Sequence, residues 1–312
     1  MKRQNAVPNT LIEAIRHFSD PNVSVQFVAE MRWPHGVACP HCGSKDVRYL
    51  QTRRRWECKT RHPKRQFSVQ VGTIFEGSHL GLDKWLAAIW MLANAKNGVS
   101  SYELARSLGI TQKSAWFMLH RIRLAMQTGT FEKLSGEVEV DETFIGGKAR
   151  NMHRGKRKVK GRGAIGKAVV MGLLERHGKA VLHVVPNNRK RTVQAKVREH
   201  VAEGSQVYTD ALASYEGLEA EYMHAVIDHA EAYAKGNVHT NGMENFWSLL
   251  KRGIKGTYVS VEPFHLFRYL DEQAFRFNTR KDNDAGRFLR VASQIAGKKL
   301  QYKHLIGECP TA

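Results

Sequence analysis

The sequence predicts an α/β protein in which a mixed sheet flanked by helices follows a small cysteine-bearing module and a helix-turn-helix. Three observations lead there. From Glu137 onward, strand-like stretches alternate with helical ones. Three of the four cysteines fall between Cys39 and Cys58, in a stretch rich in Gly, Arg and aromatic residues. Between these regions, Ser100 and Thr111 each precede a run with apolar residues at helical spacing.

Taken in order, Leu11, Ile12, Ile15 and Phe18, then Val25, Phe27, Val28 and Met31, predict two short helices parted by a turn at Asp20 and Pro21. They form an N-terminal segment, 1–33, and the cysteine module takes 34–75. Within 76–130, Leu82, Trp85, Leu86, Ile89, Trp90 and Leu92 mark a helix over Leu82 to Asn94. Ser100 caps SYELARSLG, with Glu103 completing a capping box. Thr111 caps QKSAWFMLHRIRLAMQ, and Gly109 supplies the turn between the two helices. Strands follow at Glu137 to Ile145, Ala168 to Glu175 and Ala180 to Val185, the last two joined as a hairpin by RHGK. A helix from Thr192 to about Val201, the strands SQVYTD and HAVIDH, and a helix from Asn241 to about Gly253 complete a sheet domain over 131–280. The remainder, 281–312, is a helical tail without an assigned role.

The chain has 312 residues, which predicts two or three domains, and 42% hydrophobic residues, enough for a real core. Its 49 Lys and Arg against 29 Asp and Glu give +20, with a pI of about 10.0. Such self-repulsion points to a polyanionic partner, because each cation set on a phosphate gains by counterion release. Double-stranded DNA is the leading partner. A membrane is disfavoured because the basic residues spread over the whole length. No run of about 18 apolar residues occurs, and the N-terminus lacks a signal-peptide pattern, so a cytoplasmic protein is expected.

CPHC sets Cys39 and Cys42 on a tight turn, the spacing at which two thiolates reach one tetrahedral Zn²⁺. A second pair is due about 15 to 20 residues later, and Cys58 arrives there without a fourth Cys. His62 is the nearest donor, giving a Cys₃His structural zinc site; His41, inside the first turn, is the alternative. On the second helix of the helix-turn-helix, Gln112, Lys113 and Ser114 would occupy the exposed first turn that such modules insert into the major groove. Trp116 joins them as a base-contact candidate, with Arg121 and Arg123 along one side. The run GGKARNMHRGKRKVKGRG, which includes Lys156 and Arg157, has no acid and predicts a solvated loop. Its position just after Asp141 points to an arm along a phosphate backbone.

EVEVDETFIGG places Asp141 opposite the apolar set Val138, Val140 and Phe144. An acid beside a core needs a partner: a capping amide, a protein cation or a bound metal. Asp210 closes the strand QVYTD, and Glu244 lies in an amphipathic helix. Phosphoryl transfer with two divalent ions asks for carboxylates converging from several chain segments. Acids at two neighbouring strand ends and on a covering helix meet that demand. Glu244 follows Asp210 by 34 residues, the spacing of a known catalytic design. Plainer roles remain open. Glu142 could be the ligand in place of Asp141, Asp210 could cap a helix over ALASYEGL, and Glu244 could pair with Lys251 or Lys255.

CPHC, QFSVQVGTIFEGS, GITQKSAWFMLHRIR, VEVDETFIGGK, VYTDALASY and HTNGMENFWSLLKRGIKGTY, in this order, resemble the bacterial insertion-sequence transposases of the zinc-ribbon, ISXO-two-like group. The resemblance runs from about Pro34 to Arg280. It implies a ribonuclease H-like DDE catalytic domain that uses two Mg²⁺ (or Mn²⁺) ions. Such an enzyme cuts at the terminal inverted repeats of its element and joins the freed 3′-hydroxyls to target DNA. Carried over, Asp141, Asp210 and Glu244 hold the metals, and Lys251, two helical turns beyond Glu244, steadies a phosphate. Some relatives employ an Asn nearby, which makes Asn241 a contender for the third position. The chain departs from the family's Cys₄ ribbon at His62. Because two DNA ends must be brought together, a homo-oligomer on DNA, associated with the nucleoid, is expected.

Overall fold

The computed structural model describes residues 7–127, 132–147, 166–227 and 239–308. The chain divides into two compact units, Met1–Gln127 with Lys281–Ala312, and Thr128–Arg280.

In the first unit, α1 (Leu11–Phe18) and α2 (Pro21–Arg32) each begin at a side-chain cap. Glu13 N–H donates to Thr10 Oγ1 and Asn22 N–H to Asp20 Oδ1, with Pro21 at a position where its missing N–H costs nothing. Helix α3 (Leu82–Asn94) is apolar on nearly every side and is accordingly buried: Trp85, Leu86, Ala88, Ile89, Trp90 and Leu92 all lie in the core. The segment after Arg280 belongs to this core. From α9 (Asp284–Ser293), Phe288 sets its ring 5.8, 5.6 and 5.2 Å from those of Phe18, Phe27 and Trp90. A short α10 (Tyr302–Leu305) follows. Helices α4 (Ser101–Leu108) and α5 (Gln112–Met126) are joined by three residues. Glu103 N–H donates to Ser100 Oγ at 3.1 Å and Ser114 N–H to Thr111 Oγ1 at 3.2 Å, so both start where their caps dictate. The cysteine module is a three-stranded antiparallel sheet, β1 (Val47–Leu50), β2 (Arg55–Cys58) and β3 (Gln66–Phe67), closed by Trp56 and Phe67.

The second unit is a five-stranded sheet of β4 (Glu137–Ile145), β5 (Ala168–Glu175), β6 (Ala180–Val185), β7 (Gln206–Asp210) and β8 (Met223–Ile227), in the order β6-β5-β4-β7-β8. The first three pair antiparallel; β7 runs parallel to β4, and β8 parallel to β7. Strand alternation separates two cores. Val138 and Val140 of β4 face α6 (Lys190–His200), with Val193 and Val197, and the 3₁₀ turns after β7. Ile145, Val170 and Leu174 face α7 (Asn241–Arg252), through Met243, Phe246, Trp247 and Leu250, and α8 (Leu266–Asn278). Gly172 of β5 lets α7 approach: a Cβ there would lie 2.7 Å from the Trp247 ring.

Three local expectations need adjusting. Helix α6 starts at Lys190 and ends at His200, because Val201 leaves it to bridge Leu134. ALASYEGL is not a helix but two 3₁₀ turns, Ala213–Tyr215 and Leu218–Ala220, split by Gly217 at φ 92°. Beyond α7 the chain continues as a π-helical turn, Gly253–Tyr258.

Candidate active site and metal centre

The acids sit where two parallel strands part. Pairing between β4 and β7 ends at Glu139 with Tyr208, while β4 continues with β5 and β7 with β8. Asp141 and Asp210 each stand two residues beyond that last pair. By the two-residue period both lie on the face covered by α7, which carries Glu244. Asp141 Oδ2 accepts from Trp247 Nε1 at 2.8 Å, and Oδ1 from Glu142 N–H at 2.7 Å.

Burial pushes the Asp141 carboxyl up to about 6; the bonds from Trp247 and the Glu142 amide oppose this, and the charges of Asp210 and Glu244 add to it. Asp141 therefore lies within electrostatic reach of both other acids of the sequence reading. They do not converge on one point: among the described residues, only the Cys/His group of the ribbon brings three or more donor atoms within 4.8 Å of one another. Among the described residues, no lysine or arginine forms an ion pair with Asp141 or Asp210. Carboxylate oxygens without a protein cation suit a hard divalent ion.

Glu142 points to the opposite face. It accepts from Tyr215 Oη at 2.7 Å, and burial, with Asp210 and Asp141, holds its carboxyl up at about 7. It is thus tied to a buried phenol, away from α7. Asp210 Oδ1 takes the Leu212 amide at 3.3 Å, a turn contact and not the cap of a helix. Lys251 lies half-buried at the end of α7, and Asn241 is its exposed first residue.

Sequence reading missed two groups here. Trp247, three residues after Glu244 and so on a neighbouring part of the same helix, orients Asp141; that spacing was a usable signal. Glu139, on the same strand face as Asp141, is 1% exposed and pairs with Arg176 at 3.0 Å. The alternation that places Asp141 places it too.

In the cysteine module, Cys39, Cys42, Cys58 and His62 bring their donor atoms together. Cys39 Sγ lies 3.4 Å from His62 Nε2, and Cys42 Sγ 3.6 Å from Cys58 Sγ. Bond lengths to zinc require tetrahedron edges of about 3.5–3.8 Å, which these separations approximate. Burial raises the Cys58 thiol, but hydrogen bonds from His62, Thr60 and Cys42 outweigh it and bring it to about 6. A thiolate at neutral pH suits zinc, and the four residues form a possible zinc site.

The expected DNA contacts fare differently. Lys113 is exposed, with its Nζ 4.6 Å from the centre of the Tyr302 ring. Gln112, Ser114 and Trp116 are half-buried, and Gln112 Nε2 donates to Ser101 Oγ at 2.8 Å. Arg121 corrects the sequence reading. It is 7% exposed, donates to the carbonyls of Leu300 at 3.2 Å and Ile74 at 3.1 Å, and stacks on Phe117. Its guanidinium is used inside the unit, on two carbonyls and a ring, where the sequence reading expected an exposed side. Arg123 is buried as well. Lys156 and Arg157 lie outside the described residues.

A model of the ISXO2-like transposase domain matches residues 133–278, and one of the transposase zinc-ribbon domain matches 22–60. A transposase-like protein of Haemophilus influenzae is 36% identical over 96 residues, covering 30% of this chain and 77% of the relative. The chain belongs to the ISXO2-like transposases. A protein in transposable element ISH50 of Halobacterium salinarum is 29% identical to this transposase over 256 residues, 76% of the chain and 84% of the relative. A solved structure, the Mos1 strand transfer complex, aligns over 69% of the transposase and 79% of that chain at 15% identity; its TM-score of 0.23 is too low to relate the folds. Family membership makes the transposase a polynucleotidyl transferase-type enzyme that uses a divalent metal. No helix among its described residues is long and apolar enough to cross a membrane.

Proposed function

We propose that this transposase binds the terminal inverted repeats of an insertion sequence, cleaves the ends and transfers 3′-hydroxyl strands to target DNA. The reading is supported most by one observation: Asp141 and Asp210 each stand two residues beyond the last β4–β7 pair, on the face covered by α7, whose Trp247 donates to Asp141 and which carries Glu244. The order β6-β5-β4-β7-β8, three antiparallel strands followed by two parallel ones, favours a ribonuclease H-like catalytic domain over 131–280. The boundaries 1–33, a zinc ribbon over 34–75 and a helix-turn-helix domain over 76–130 follow the sequence, while 281–312, expected as a tail, packs into the same unit as these segments.

Asp141, Asp210 and Glu244 would hold two Mg²⁺ or Mn²⁺ ions. Bound there, these ions would supply Lewis acidity and a water of lowered pKa. Asp141 is kept in one orientation by Trp247, so its oxygens present a fixed direction to the site. The carboxyl at about 6 ionises below neutrality and offers a charged ligand at physiological pH. Lys251 is assigned to a phosphate oxygen near the scissile bond. Lys113, with Gln112, Ser114 and Trp116, is assigned to the terminal repeats in the major groove. The transposase would act as a homo-oligomer on DNA, associated with the nucleoid, since two ends must meet.

Asp141→Ala and Asp210→Ala should each abolish Mg²⁺-dependent cleavage of a duplex bearing the element's end, with DNA binding retained. Strand transfer persisting in either variant refutes the assignment.

A further inference from the structure

Helix α7 has no cap of its own. Thr240 precedes it but makes no side-chain cap hydrogen bond. The cap comes from the sheet: Met243 N–H donates to Glu139 Oε2 at 2.9 Å, across 104 residues of sequence. The other carboxylate oxygen of Glu139 takes Arg176 Nε at 3.0 Å. Arg176 then donates through Nη2 to the carbonyl of His239 at 2.9 Å and through Nη1 to Glu137 at 3.1 Å, and stacks 4.0 Å over the Tyr208 ring. One buried ion pair therefore grips the start of α7 twice, Glu139 at an amide of its first turn and Arg176 at a carbonyl just ahead of it.

The close approach depends on Gly242. A Cβ there would lie 2.7 Å from both Glu139 Oε2 and Leu174 Cδ2. The grip also sits beside the acids. Glu244 is the residue after Met243, and Asp141 lies two residues from Glu139 on the same face of β4. A carboxylate on a first-turn amide is a charge-assisted bond aligned with the helix dipole, and Arg176 offsets the cost of burying it.

We propose that Glu139 is a positioning residue: by capping α7 from the sheet it sets Glu244 against Asp141 and thereby the affinity of the acid site for divalent cations. The proposal rests on that site being the metal-binding centre. Removing the cap frees the start of α7, and with it the placement of Glu244 relative to Asp141, so that a ligand displaced by about 1 Å loses most of its contribution.

The test is Mn²⁺ binding to the full chain, followed by electron paramagnetic resonance. The proteins compared are wild type, Glu139→Ala, Glu139→Gln, Gly242→Ala and Asp141→Ala. A further control is Val197→Ala, whose side chain lies in the core on the opposite face of the sheet. The Kd should rise about ten-fold or more in Glu139→Ala and Gly242→Ala, consistent with loss of one well-placed ligand. Glu139→Gln should lose less, since its side-chain oxygen can still accept from Met243 N–H. Val197→Ala should melt at a lower temperature and bind Mn²⁺ as the wild type does. Should Glu139→Ala fail to fold, Gly242→Ala and Glu139→Gln decide the matter by the same Kd. Wild-type affinity in the folded Glu139 and Gly242 variants overturns the positioning role and leaves the acid site standing. An Asp141→Ala isotherm identical to wild type removes the site itself, and the proposal with it.

Discussion

Replacing Trp247 by Phe isolates one bond at the acid site. Trp247 is 4% exposed, and its Nε1–H reaches Asp141 Oδ2 at 2.8 Å. Phe keeps an aromatic ring in the core but removes the donor, at a packing cost of about 1–3 kcal/mol that leaves the unit folded. A hydrogen bond to a charged acceptor contributes about 1.5–3 kcal/mol, and about 1.4 kcal/mol corresponds to one pKa unit. The bond favours the ionised form, so its loss raises the Asp141 carboxyl by about one to two units from its present value of about 6. At pH 7 the ionised fraction then falls from about nine-tenths to between about a half and a tenth. A carboxylate must be ionised to hold a cation, so activity is lost as pH falls through this pKa. The acid limb of single-turnover cleavage, measured at subsaturating Mn²⁺, should move toward alkaline pH by about one unit or more. A folded, cleaving variant whose acid limb does not move would refute the role given to Trp247.

Zinc and Arg121 give two further tests. The purified protein should carry one Zn²⁺ per chain, released when its thiols are modified and lost in Cys58→Ser, as measured with a chromophoric chelator; a zinc-free but fully folded wild type contradicts the site. Arg121→Ala should destabilise the first unit by about 1–3 kcal/mol, because two buried carbonyls lose their donor. The slope of log K for DNA against log salt should not change, whereas a slope smaller by about one would restore a phosphate contact to Arg121.

Much of the fold is legible because its signals are local. The alternation of Val138, Val140 and Phe144 with polar neighbours gives β4 its limits, and side-chain caps at Ser100 and Thr111 start α4 and α5. Asp141 and Asp210 stand out as acids in strands whose pattern asks for apolar packing, whereas Glu244, exposed on an amphipathic helix, stands out only by its spacing from Asp210. What stayed hidden depends on contacts far apart in sequence. Arg121 looks like a solvent-facing cation until the C-terminal segment supplies Leu300 as its cover. Phe288 enters a core built by α1, α2 and α3, and nothing near it in sequence indicates that destination. Glu139 reads as one more polar position in an alternating strand; its partners, Arg176 and the Met243 amide, lie 37 and 104 residues away. Glu142 and Asp141 are indistinguishable by composition, and only Tyr215 and Trp247, on opposite faces of the sheet, tell them apart.

The central claim is that the acids beneath α7 form a divalent-cation centre. Anomalous diffraction from crystals soaked in Mn²⁺ tests it most directly. The account predicts manganese peaks about 2.0–2.3 Å from carboxylate oxygens of Asp141 and Asp210, with Glu244 drawn toward them. Manganese bound only elsewhere, with the three carboxylates unmoved, would contradict it.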